Sequence, residues 1–355
     1  MTTRTHDIDH DTLGDLLGRF VADLGAAGTA GAMVIGNRLG LYRALARGPA
    51  TPGRFAERTG YHLRYLTEWL RGQAAAGYAT YDPATGEFSL TPEQAFCLAD
   101  PNGPDLSAAG LTLLGYLRAE PAITEAFRTG EGVGWHEHVD DVFVGCDAFY
   151  RPGYVAELVP TWIPALDGVE EKLTAGARIA DVGCGLGSSS VLLGEAYPRS
   201  TVTGSDYHEE SITLARKKAA DAGVADRVAF EVATAQTFTG TGYDLVTTFD
   251  CLHDLGDPLG AARRVREALA PDGTWLVVEP NAGDAVEDTL NPVGRLYYNG
   301  SLFLCVPNAL SQPGGYALGA QAGEAAVREI AAEAGFTRFR RAAESPFNLV
   351  YEIRP

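Results

Sequence analysis

The stretch that most constrains this chain is Ala177-Arg-Ile-Ala-Asp-Val-Gly-Cys-Gly-Leu-Gly-Ser-Ser-Ser190. Ile179 to Val182 is a short apolar run that reads as a buried parallel strand. It breaks into glycines at Gly183, Gly185 and Gly187, and Ser188 to Tyr197 then reads as a helix with Val191, Leu192 and Leu193 turned inward. Strand, glycine turn and helix open a nucleotide-binding βαβ unit. Glycine suits such a turn because a Cβ would hold a ligand off the backbone. The helix behind it offers free N–H groups and the positive end of its dipole.

The glycine spacing narrows the nucleotide. A dinucleotide site wants glycine at the first, third and sixth places, and here the sixth is Ser188, which disfavours a nicotinamide dehydrogenase. The glycines instead fall at every second place in Asp181-Val-Gly-Cys-Gly-Leu-Gly187. Further strands follow in order: Ser200 to Asp206, Arg227 to Val232, Tyr243 to Phe249 and Gly273 to Glu279. Thr337 to Ala342 and Asn348 to Ile353 read as two more, an antiparallel edge pair. The glycine motif and the strand series resemble the class I S-adenosylmethionine (SAM) methyltransferases from about residue 170 onward. The resemblance implies an α/β fold: a Rossmann-like seven-stranded methyltransferase domain over residues 171–355.

What the resemblance implies for the site follows residue by residue. Asp181, Gly183, Gly185 and Gly187 line the methionine and ribose portion of SAM. Asp206, about 20 residues past the glycines, takes the ribose hydroxyls; the competing reading is an N-cap for the helix expected over Glu209 to Ala222. Tyr207 packs on adenine. Thr234 stands where relatives often carry an acid, so that contact is weaker or passes to Gln236, and Ala235 offers its backbone N–H. Asp250 and Cys251 meet the methionine end. Leu252-His-Asp254 is similar to the Leu-His-Asp-Trp motif of winged-helix O-methyltransferases, with Leu255 in place of tryptophan. By that likeness His253 is the general base, and its near-neutral intrinsic pKa suits the task. Asp254 is expected to orient the ring or to cap the next turn, with Glu279 as a second orienting acid. The alternatives are C- or N-methylation without a histidine base, or a SAM-sensing regulator that uses a winged helix on DNA.

Before this domain, Leu13, Leu16, Leu17, Phe20, Val21 and Leu24 make one helical face, and Gly25 to Gly31 reads as a break. Thr51 to Gly60, Tyr61 to Ala76 (core side Leu63, Leu66, Trp69 and Leu70) and a hairpin at 77–90 make a mostly helical winged-helix domain over residues 1–104, with residues 91–104 as a closing loop. A formal net charge of −18 argues against nucleic acid and anionic membranes as partners. Similar regions pair subunits in small-molecule O-methyltransferases, which implies a homodimer. Residues 105–170 read as a helical linker and lid. Trp135-His-Glu-His-Val-Asp-Asp141 is the densest polar run; Trp135 and His136 are candidate substrate contacts, and no further cluster with metal-ligand spacing accompanies His136 and His138. Phe149 to Tyr154 reads as a turn that brings Tyr150 and Tyr154 to the lid. Pro280 to Gly315 is long for a connector and reads as a pocket wall with Arg295 and Tyr298 toward a small-molecule substrate. Residues 1–10 read as a frayed polar tail without signal-peptide character. Five scattered cysteines and no apolar run of about 18 residues point to a reducing cytoplasm.

Overall fold

The computed structural model describes residues 8–101 and 103–355. It divides into two compact units, Met1–Leu114 and Gly115–Pro355. Most of the expected tail lies outside the described residues, and helix α1 (His10–Arg38) starts within it, capped by Asp9 on the N–H groups of Asp11 and Thr12.

In the first unit α1 runs through the segment where a break was expected. Gly25, Gly28 and Gly31 each cost about 1 kcal/mol against alanine, but the alanines between them are strong helix formers and none of the three adopts a positive φ. The expected apolar face exists and is 37–68% exposed from Leu13 to Val21 and Leu24. After α2 (Leu41–Leu45) come α3 (Pro52–Thr59), capped by Thr51 and ended by left-handed Gly60, and α4 (Leu63–Ala75). Leu66, Trp69 and Leu70 enter the core, whereas Leu63, at the first turn of α4, faces out. Strands β1 (Thr80–Asp82) and β2 (Glu87–Ser89) pair antiparallel, and Ala50 bridges to Phe88. The expected closing loop contains α5 (Pro92–Leu98), set by a Thr91/Gln94 capping box that is legible in the sequence. Helix α6 (Leu106–Leu117) carries the chain onward.

The second unit continues with α7 (Glu120–Thr129), α8 (Asp140–Glu157) and α9 (Val169–Ala175). Pro152 and Gly153 lie inside α8 rather than in a turn. Proline removes one helix donor, and the chain passes into a single wider turn at Leu158–Trp162. Burial of Tyr154, Leu158 and Trp162 against the sheet holds this irregular helix in place.

The sheet then forms from β3 (Arg178–Val182), β4 (Thr201–Asp206), β5 (Val228–Val232), β6 (Tyr243–Phe249), β7 (Leu269–Pro280), β8 (Arg338–Glu344) and β9 (Asn348–Arg354). Its order is β5-β4-β3-β6-β7-β9-β8, parallel through β7 and antiparallel at β9 and β8. Helices α10 (Ser188–Ala196), α11 (Glu209–Asp221), α12 (Pro258–Ala268) and α16 (Gly323–Glu333) cover it. Successive strand residues alternate between two cores: Ile179, Leu245 and Leu276 pack on one face, Ala180, Val246 and Trp275 on the other. The order reverses between β4 and β6 around β3, so the ligand crevice lies at the carboxyl ends of those strands. The long connector after β7 folds into α13 (Val286–Thr289), α14 (Pro292–Phe303) and α15 (Cys305–Ser311).

Candidate active site

A cavity of about 530 Å³ opens in this crevice. The three glycines at its edge share a positive φ but differ in what they permit. A Cβ on Gly187 (φ +75°) would meet the Phe230 ring at 2.7 Å, and one on Gly183 (φ +73°) would meet Cys251 Sγ at 2.7 Å. Around Gly185 (φ +50°) nothing lies within 4 Å. Gly183 and Gly187 are therefore required by packing, and Gly185 alone keeps space open for a ligand.

The two acids at the strand ends also part company. Asp181 is buried and does not line the cavity. It accepts hydrogen bonds from Ser189 (2.6 Å), Ser190 (2.5 Å) and Thr247 (2.9 Å), tying the start of α10 to β3 and β6. Asp206 lines the cavity and accepts from Gly185 N (3.0 Å) and His208 N (2.9 Å). It is not the helix cap, since His208 caps α11. Burial raises the pKa of both carboxyls, against the donors that lower it.

Tyr207, Thr234, Ala235 and Gln236 share the wall. Thr234 pairs with Thr237, and the Gln236 amide donates to the Asp257 carbonyl at 2.9 Å. Trp135 and His136 sit in a short 3₁₀ turn over the same end. The Trp135 N–H donates to Asn308 Oδ1 (3.0 Å), the Tyr207 hydroxyl reaches the same oxygen (3.3 Å), and the His136 ring stands edge-on to Tyr207. His138 does not line the cavity and is buried with both ring nitrogens unpartnered. Among the described residues no group of histidine, cysteine and acid is arranged to hold a metal.

At the other end Tyr150 and Tyr154 stack within α8 and line the cavity, so the irregular helix delivers them where a turn was expected to. The Tyr154 hydroxyl donates to Asp250 Oδ2 (3.1 Å), and Asn348 donates to Asp250 Oδ1 (2.8 Å). Asp147 of α8 is held by Lys218 (2.9 Å) and Ser188 (2.6 Å), which clamps α8 onto α10 and α11. Arg295 and Tyr298 do not line the cavity: α14 turns both outward and buries Tyr297 between them, where its hydroxyl donates to the Phe347 carbonyl. The connector contributes Asn308, Ser311 and Gln312 instead. Their signal in the sequence was only the length of the segment.

His253 is buried in a 3₁₀ turn after β6, with Cys251 and Asp254 of that turn on the cavity wall and the imidazole itself behind it. Nδ1 meets Glu279 Oε2 at 2.5 Å, so Glu279 orients the ring and Asp254 does not. Nε2 meets Cys305 Sγ at 3.3 Å. Burial alone would push the imidazole pKa down, but the Glu279 carboxylate and Cys305 outweigh it and hold the ring well above the ordinary histidine range. Burial pushes Asp250 and Asp254 each up to about 7. It also raises the Cys184 and Cys251 thiols, which stay protonated. Five aspartates line the cavity and, among the described residues, no lysine or arginine does.

Residues 173–334 match a family model described as a methyltransferase domain, and residues 27–100 match an Rv2258c-like winged HTH domain. The chain is 31% identical over 131 residues to the 27-O-demethylrifamycin SV methyltransferase of Amycolatopsis mediterranei, covering 35% of this chain and 48% of that protein. The chain spans about half the length of the curated relatives it matches. Among solved structures it shares its fold with the mitomycin 7-O-methyltransferase MmcR (TM-score 0.69, 22% identity, 98% of this chain and 100% of that one). It shares it also with human N-acetylserotonin methyltransferase in complex with SAM (TM-score 0.71, 16% identity, 100% and 99%).

Proposed function

From a chain whose residues 173–334 are a methyltransferase domain and whose residues 27–100 are a winged HTH domain, we propose methyl transfer from SAM to a hydroxyl of a small organic acceptor. One observation carries the reading: the open direction at Gly185 and the Asp206 carboxylate face a single cavity. Asp206 would hold the ribose hydroxyls, Tyr207 the adenine face, and Thr234 and Ala235 the ring edge, while Gly185 admits the methionine. When bound, SAM supplies a methyl group on a positively charged sulfur.

The chain's own task is to hold the acceptor in line and remove its proton. Trp135, Phe143, Tyr150, Tyr154 and Phe249 give an aromatic wall for a flat apolar acceptor. His253, fixed through Nδ1 by Glu279, takes the hydroxyl proton at Nε2 once Cys305 yields that position. Calorimetric titration with S-adenosylhomocysteine tests the donor: no heat at millimolar ligand ends the reading. A second reading, transfer to carbon or nitrogen without a histidine base, draws on the contact of Nε2 with Cys305 rather than with the cavity. Mass spectrometry of the methylated bond separates the two.

The exposed stripe on α1 is the surface on which we place a homodimer contact, because six large apolar side chains on one helix are costly to leave in water. Light scattering of the intact chain with Leu16 and Phe20 replaced by serine should read half the parent mass. The free cysteines fit a reducing cytoplasm, and among the described residues no helix is long and apolar enough to cross a membrane.

A further inference from the structure

We propose that Asp250 makes the cavity select the positively charged methyl donor over its neutral by-product, S-adenosylhomocysteine. The inference rests on the methyltransferase reading above.

Asp250 closes β6 at φ +49°, and only one other non-glycine residue among those described, Asp105, has a positive φ. Strain of this kind persists where surrounding structure fixes it, and it concentrates at functional sites. The fixing groups are visible: the Tyr154 hydroxyl from α8 and the Asn348 amide from β9, one on each carboxylate oxygen. Both donors are neutral. The ionisable groups that face Asp250 are Glu279 of β7, His253 of the following turn, Tyr150 and Tyr154 of α8 and Tyr297 of α14. His253 is the sole cation in that set, and Glu279 already engages it. Asp250 is 9% exposed and lines the cavity.

A buried carboxylate without a cation is costly, and a ligand that brings the missing charge removes the cost. SAM and S-adenosylhomocysteine share their adenosine, α-amino and α-carboxyl groups and differ in the charged sulfonium. A carboxylate on the wall therefore separates them by charge alone. When the methyl group leaves, the electron pair of the S–C bond stays on sulfur and the charge disappears. The attraction is thus strongest for the bound donor and already weakened in the transition state, so its loss raises KM for SAM without lowering kcat. It also eases product release.

The test is calorimetry on the full chain with SAM, S-adenosylhomocysteine and the amine-bearing analogue sinefungin. At about pH 8 the parent should hold SAM about tenfold more tightly than S-adenosylhomocysteine. Asp250→Asn should weaken SAM and sinefungin about tenfold and leave S-adenosylhomocysteine within about twofold. Equal losses on both ligands, or no loss on either, overturns the proposal. Should the variant fail to fold, Asp254→Asn decides, because Asp254 lines the same cavity and is also pushed up to about 7: in that variant the preference should still fall toward parity as pH drops below about 7, where the Asp250 carboxyl protonates. The α-amino titration is common to both ligands and cancels. A preference that stays flat across that range overturns the proposal. A parent that binds neither ligand sinks the methyltransferase reading itself, whereas one that binds both equally sinks only the role of Asp250.

Discussion

At the end of β3 the wall of the cavity is backbone, and at the end of β6 it is side chain. Gly183, Gly185 and Gly187 shape the first end through positive φ angles, with Asp181 and the serines of α10 locking strand to helix behind them. At the second end Asp250, just after β6, and Tyr154 of α8 line the cavity, backed by Glu279 of β7, Asn348 of β9 and Cys305 of α15. A backbone site tolerates almost no substitution at its turns but makes few chemical distinctions. A side-chain site can be altered one group at a time, and each group changes chemistry more than fold.

The sharpest way to break that contrast is at the glycines. Gly187→Val forces a Cβ against Phe230 and Ala215 at a left-handed φ, and should destabilise the chain on the order of 4 kcal/mol. Gly185→Ala meets only the backbone strain, about 1 kcal/mol, yet should lose cofactor affinity about tenfold because its methyl group enters the cavity. Chemical denaturation reads the first effect and calorimetry the second. If the two variants behaved alike, the division of labour among the glycines would be wrong.

Next in size are substitutions at the side-chain end. His253→Ala should lower turnover at least about a hundredfold while S-adenosylhomocysteine binds as before. Glu279→Gln should cost less and, more tellingly, move the pH profile. The base must be neutral to act. Glu279 holds the imidazolium in place to a pH above the usual histidine range, so the parent rate climbs through that raised value. Without the carboxylate, the acid limb should shift about one unit or more toward lower pH. An unmoved limb in Glu279→Gln means that His253 is not the titrating base.

The same contrast explains what the sequence made legible. The glycine motif, the strands and Asp206 are local patterns: a period of two, a turn residue, an acid at a fixed distance. Glu279 is legible as a second orienting acid because it falls at the end of the fifth strand. The bonds from Tyr154 and Asn348 to Asp250 span about a hundred residues and leave no periodic trace. Arg295 and Tyr298 follow from residue type in a segment that reads only as a long connector; it folds as helix α14, and Tyr297, next to Tyr298, is the buried one. Pro152 and the α1 glycines misled in the opposite sense. Local propensity there favoured breaks, but helix continuity prevailed, in α8 with the help of buried aromatics.

The smallest expected effect concerns His138, which follows the turn carrying Trp135 and His136 over the backbone-built end. Its ring is buried with neither nitrogen bonded, and burial depresses its pKa. The sign then follows: a depressed value means the folded chain keeps the ring neutral, so this contribution is complete above the unfolded value of about 6.5 and is lost as pH falls. Lowering the pH from about 7.5 to about 5 should therefore cost the parent on the order of 1 kcal/mol at this residue. His138→Phe, which keeps the ring and removes the titration, should be relatively more stable at the lower pH by that amount. Urea denaturation of both proteins at the two pH values measures the difference of differences, in which the other acids and histidines cancel. If that quantity is zero, the segment opens enough to hydrate the ring, and the roof over the glycine end is a moving part rather than a fixed wall.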